Sequence, residues 1–151
     1  VAWASTAPDA VNALVALTKT VVDPHTVLDG PTPGNSALQE AVTIGFEDED
    51  VPAVVEADVN PEGLAGNPDR EQYSITCKVE VARGSGDIAS ARARAYELLG
   101  IVGAAVKENR GLGGVVNRAW VGSHVLRQVQ DHRGAVAEVR FAVEVATFTK
   151  R

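Results

Sequence analysis

The sequence predicts an α+β domain: a mainly antiparallel (mixed) sheet of four to five strands with two helices packed on one face. Two stretches, 8–20 and about 88–109, space their apolar residues at the helical period. Two others alternate apolar and polar residues as half-buried strands do, strictly in 71–83 and again in 135–148, where Ala137, Val139, Phe141, Val143 and Val145 stand against Glu138, Arg140 and Glu144. The order along the chain reads α–β–β–α–β–β, with a short extra strand near 27.

The first helix places Val11, Leu14, Val15 and Thr18 on one stripe. Pro8 suits its first turn, where a missing N–H costs nothing, and Thr6 is expected as N-cap. Residues 23–39 are rich in breakers: 26–28 reads as a short strand, and Asp29-Gly30-Pro31 and Pro33-Gly34-Asn35 read as turns. Residues 42–47 read as a strand with Val42, Ile44 and Phe46 on one face. From 48 to 69 the pattern is lost, save for the option of a short strand at 53–56. A loop this long is uncommon in a compact domain. Ordering it costs about 1–2 kcal/mol of backbone entropy per residue, which a partner surface would offset.

Residues 71–83 form the clearest strand, with Tyr73, Ile75, Cys77, Val79 and Val81 on one face. Gly84-Ser85-Gly86 is a turn, and Asp87 caps the second helix, whose Gly100 and Gly103 read equally as close approach of another backbone or as glycines the helix tolerates. Asn109-Arg110-Gly111 ends that helix. Residues 115–129 form a long, irregular strand with a candidate bulge at Gly122-Ser123. Asp131-His132-Arg133-Gly134 then makes a hairpin loop into 135–148.

The 151 residues fit one domain, 1–151. A domain of this size buries roughly 70% of its unfolded surface and needs neither disulfide nor metal to fold. The formal net charge of −6 argues against non-specific DNA binding, which depends on Lys and Arg at phosphates. One cysteine, Cys77, excludes an intramolecular disulfide and fits a reducing compartment. No stretch reaches the 18 or so apolar residues of a membrane span. The Val-Ala-Trp-Ala-Ser start has no signal-peptide pattern.

Motifs with chemical meaning are few. Gly111-Leu112-Gly113-Gly114 follows a helix and precedes a strand, the reverse of a phosphate loop, and reads as a helix stop. His25, His124 and His132 lack metal-ligand spacing. His25 and His132 sit beside turns, and His124 reads as sharing a face with Arg118 and Trp120. Cys77 alternates into the core, where a thiol behaves as a small hydrophobe. The acidic run Glu47, Asp48, Glu49, Asp50 lacks the pattern of a calcium loop and reads as a solvated loop. The outward positions Lys78, Glu80, Glu138, Arg140 and Glu144 mix both signs. They read either as a solvated face or as a face meeting another copy. No cofactor is expected.

The chain resembles the tail terminator proteins of long-tailed, siphovirus-like bacteriophages over most of its length. The likeness runs through 10–17, Asp29-Gly30-Pro31, 42–50 and Ala65-Gly66-Asn67-Pro68-Asp69-Arg70-Glu71. It is strongest at Val79-Glu80-Val81, Gly86-Asp87 and Ala91-Arg92-Ala93-Arg94-Ala95-Tyr96-Glu97-Leu98-Leu99, and it ends in the terminal hairpin. The resemblance implies a non-enzymatic virion protein, made in the host cytoplasm. It implies a homohexameric ring that caps the head-proximal end of the tail tube and stops tube polymerisation. It also implies docking to the head-tail connector, with genomic DNA passing through the lumen unbound. The candidate interface residues are Glu47, Asp48, Glu49, Asp50, Arg118, Trp120, Glu138 and Arg140, although Trp120 reads equally as core. The alternatives are another connector or head-closure component, or a small α/β enzyme using His124 and nearby carboxylates.

Overall fold

A computed structural model describes residues 3–30, 38–64 and 66–150. The expected turn at 33–35, and the end of the one at 29–31, lie outside them. The elements are α1 (Ala7–Val21), a 3-10 turn (Pro24–Thr26), β1 (Val27–Asp29), β2 (Glu40–Ile44), β3 (Val55–Asn60), β4 (Arg70–Arg83), α2 (Ile88–Glu108), β5 (Arg118–Asp131) and β6 (Gly134–Phe148). They form a six-stranded mixed sheet in the order β1-β2-β4-β6-β5, with β3 beside β4 at the end that β2 leaves open. Among the described residues only β1 and β2 run parallel.

The sheet is thus larger than the expected four to five strands. The difference is β3, which lies inside the stretch expected to be patternless. It starts at Val55 rather than 53, and five of its six residues are exposed. A strand with no buried face leaves no alternation to read.

Both helices lie on one face, as predicted. Odd-numbered residues of β4 and β6, from Ile75 to Val81 and from Ala137 to Val145, meet Leu14, Ala91, Ala95, Leu98, Val102 and Val106 in one core. Burying each large apolar side chain there contributes about 1.5–3 kcal/mol. Asp87 caps α2 as expected, its carboxylate accepting from the Ser90 N–H at 3.1 Å. Cys77 is fully buried, and burial pushes its thiol pKa up to about 12. The glycines of α2 do not serve close packing. A Cβ at Gly100 would meet nothing within 4 Å, and one at Gly103 would only touch Val121 at 3.9 Å.

The start of α1 differs from the expectation. Thr6 occupies the N-cap position, but its side chain makes no capping bond. Ser5 accepts from the Ala7 N–H at 3.0 Å instead. The Thr6 hydroxyl and N–H donate to Glu71 at 2.7 and 3.0 Å, and the Ser5 hydroxyl donates to the same carboxylate at 2.5 Å. Glu71 is fully buried, so a carboxylate from β4 closes the positive end of α1. Tyr73 lies beside it, 2.9 Å from the Thr6 hydroxyl, and burial raises its phenol pKa to about 12.

Candidate assembly surface

Among the described residues the other face of the sheet carries no helix. Its side chains come from even-numbered positions of β4 and β6, and the register sets them in rows: Ser74 opposite Glu144, Thr76 opposite Ala142, Lys78 opposite Arg140, Glu80 opposite Glu138. Two of these rows bring like charges together, which is unfavourable across a strand pair. The structure answers each. Along their own strands, Arg140 pairs with Glu138 at 2.5 Å and Lys78 with Glu80 at 4.0 Å. Arg133 adds a cation to Glu80 at 2.5 Å.

The Lys78–Arg140 row is also covered from above. Gly45, at φ +74°, turns the chain out of β2. Phe46 therefore crosses to the helix-free face instead of sharing one with Val42 and Ile44, as the sequence suggested. Its ring centre lies 5.2 Å from both the Lys78 ammonium and the Arg140 guanidinium. The acidic run follows. Asp48 accepts from the N–H groups of Asp50 and Val51, both at 2.9 Å, and takes the Arg140 guanidinium at 2.6 Å. Asp50 pairs with Arg127 on β5 at 2.8 Å. Thr76 pins the base of this loop, its hydroxyl donating to the Phe46 carbonyl at 2.7 Å and its N–H to Val54 at 3.1 Å.

Half of the acidic run is thus an intramolecular lid. Burial opposes the charge on Asp48, but the two N–H groups and Arg140 more than offset it and hold the carboxyl below its ordinary value. Burial likewise opposes the charge on Arg140, and Glu138, Asp48 and Asp50 outweigh it. Glu47 and Glu49 remain exposed. Between lid and hairpin lies an open cavity of about 230 Å³, lined by Phe46, Val51, Val125, Arg127 and Arg140 among others.

Arg118 and Trp120 sit at the start of β5, with the guanidinium 4.7 Å above the indole ring. Trp120 is half-buried and faces Glu144, on the helix-free side. His124 does not share that side. The ladder shifts between Val121 and Ser123, so Gly122 is a bulge as expected, and every later residue changes face. His124 therefore lies opposite Phe141 and packs edge-on against Tyr96 of α2, its Nδ1 3.2 Å from the phenol oxygen. Glu138 and Glu144 lie on the opposite face of the sheet from it. His25 and His132 are exposed in turns. Among the described residues no cluster of His, Cys, Asp or Glu is arranged to hold a metal ion. No described helix is long and apolar enough to cross a membrane.

After the bulge, Val125 and Val129 project from β5 at 56% and 54% exposure. The strand has 14 residues, and among the described residues its outer edge is unpaired. The sequence signals the bulge through Gly122 but not which face follows it. It also gives no sign that β5 is an edge.

No family model matches the chain, and no curated protein matches it. Among solved structures, the chain is similar to one in a structure described as the virion of a native gene transfer agent particle. The two share 11% identity at a TM-score of 0.36, over 89% of this chain and 84% of that one.

Proposed function

We propose that this chain is a structural virion subunit that works by packing against copies of itself, as a tail terminator ring at the head-proximal end of a phage-like tail tube. The observation that carries the reading is the β5–β6 hairpin. It is a ribbon of 14- and 15-residue strands with one long unpaired edge and two exposed valines. Such an edge is a template for another chain, and stable monomers blunt it. The resemblance to tail terminators over most of the sequence, including this terminal hairpin, supports the specific role. So does the acidic balance: in a ring each copy adds a charge of −6, which favours a lumen that DNA passes without sticking. On this reading the chain is not an enzyme, and its partners are its own copies, the tube protein and the connector.

The test is to delete the gene from its parent particle and image the products. Tubes of uncontrolled length and heads without tails are expected. Normal tails joined to heads at normal frequency would overturn the role.

A further inference from the structure

The sheet has a second open edge, the six-residue β3, which lies level with the first residues of β5. Among the described residues the outer side of β3 is unpaired, as is that of β5. Neither strand contains proline or lysine, and the bulge of β5 at Gly122 lies beyond residues 118–121. Pairings β3–β4, β4–β6 and β6–β5 are all antiparallel. β3 and β5 of one copy therefore run in opposite directions. When a second copy is set alongside in the same orientation, its β5 meets β3 of the first antiparallel, continuing the alternation.

The register can be followed across one copy. Asp58 lies opposite Gln72, Gln72 opposite Ala146, and Ala146 opposite Arg118. In the same way Glu56 leads through Ser74 and Glu144 to Trp120, and Val55 through Ile75 and Val143 to Val121. Asp58 and Arg118 thus stand at the same level on the same face, at opposite edges.

The charges of the two edges are complementary. The segment 47–64 contains Glu47, Asp48, Glu49, Asp50, Glu56, Asp58 and Glu62 and no Lys or Arg. Glu56 and Asp58 are exposed and form no ion pair among the described residues, whereas Asp48, Asp50 and Glu62 are paired. Arg118 is exposed over Trp120, also with no carboxylate partner among the described residues. The geometry points to one occupant for each edge: β3 of one copy pairs with residues 118–121 of β5 in the next, Asp58 opposite Arg118 and Glu56 opposite Trp120. Two β3 edges together would bring only carboxylates to each other. Pairing of two β5 edges about a two-fold axis would leave β3 open and stop at two copies. A head-to-tail contact uses both edges and closes into rings when the rotation allows. This inference rests on the self-assembly reading and names its surface.

A cysteine pair tests it. Within one copy, positions 58 and 118 are three strand spacings apart, about 14 Å, beyond the roughly 7 Å that a disulfide spans between Cα atoms. Any disulfide in Asp58→Cys/Arg118→Cys must join two copies. Under mild oxidation a non-reducing gel should show a ladder of dimer, trimer and higher species. It should be at least tenfold stronger than in Asp58→Cys/Arg127→Cys, whose second site lies far along the edge, while either single variant should stop at dimer. Circular dichroism identical to wild type confirms the fold. A ladder no stronger than the control overturns the pairing. Sedimentation of the wild type separates the two claims. Rings without the ladder leave self-assembly standing on another surface, and monomers without the ladder remove both. A ladder from a protein that sediments as monomer supports the pairing as a weak contact trapped by oxidation.

Discussion

Arg140→Met removes the guanidinium that lies over the Phe46 ring at the centre of the helix-free face, while keeping an unbranched apolar stem. Breaking a buried ion pair by deleting one partner costs about 3–5 kcal/mol when both groups are fully desolvated. Here the side chains of Arg140 and Glu138 keep 15% and 19% exposure, Asp48 keeps 37% and Asp50 keeps 60%. The Glu138 contact therefore dominates, and the two aspartate contacts are screened to about 0–1 kcal/mol each. The expected loss is about 2–3 kcal/mol. At a urea slope of about 1–3 kcal/mol/M, the midpoint should fall by about 0.7–3 M. Asp48→Asn keeps an oxygen for the Asp50 and Val51 N–H groups and loses only charge, at about 0.5–1 kcal/mol. The double variant should show a coupling of about 0.5–1 kcal/mol, because the two side chains touch. The assay is urea unfolding of all four proteins by circular dichroism. A coupling of zero would show that the acidic loop is not latched to the sheet. A loss below about 0.5 kcal/mol for Arg140→Met, the range of ordinary surface substitutions, would refute the burial argument itself.

Three further outcomes follow from the same contacts. A Cβ at Gly122 would stand 2.4 Å from Cγ of Glu144, whose carboxylate accepts from the Ser74 hydroxyl at 2.6 Å. Gly122→Ala should therefore cost about 1–3 kcal/mol, and an unchanged thermal midpoint would contradict the bulge geometry. The buried Cys77 thiol, raised to about 12, should resist a thiol reagent at pH 8 in the native protein and react once unfolded, and rapid native labelling would place it outside the core. Glu40, held low by the Arg94 guanidinium against its burial, and Asp48 both have depressed folded values. Their stabilisation is complete above the ordinary values of 4.5 and 3.8 and is lost as pH falls through the lowered ones. The urea midpoint should be nearly flat between pH 7 and about 5 and decline below, and a rise on acidification would reverse the sign of the argument.

The parts of the fold legible in the sequence are those where burial imposes a period. β4 alternates from Glu71 to Val81 and β6 from Ala137 to Thr147, and both helices carry their stripe, so their boundaries fell within about two residues. What the sequence hid is set by single backbone events and long-range pairings. Gly45 sends Phe46 to the opposite face, and the bulge at Gly122 sends His124 away from Trp120. A strict alternation rule cannot anticipate either change of face. β3 was hidden because an exposed edge strand has no apolar face to display. Glu71 looked like one more polar position at a strand start, yet it is buried under α1 by groups 65 and 66 residues away. Among the candidate interface residues, Asp48, Asp50, Glu138 and Arg140 form one internal ionic cluster. A charge reversal at Arg140 would therefore report on the lid before it reported on assembly. Arg118 and Trp120, at the open edge, are the cleaner probes.

On the proposed reading, copies of this chain form a ring at the head-proximal end of a tail tube. An image of the assembled particle at the resolution of secondary structure tests it most directly. One closed ring, six copies of this fold, is expected at the junction of tube and connector, with β3 of each copy beside β5 of the next. A single isolated copy, or an open helical stack of copies along the tube, would contradict it.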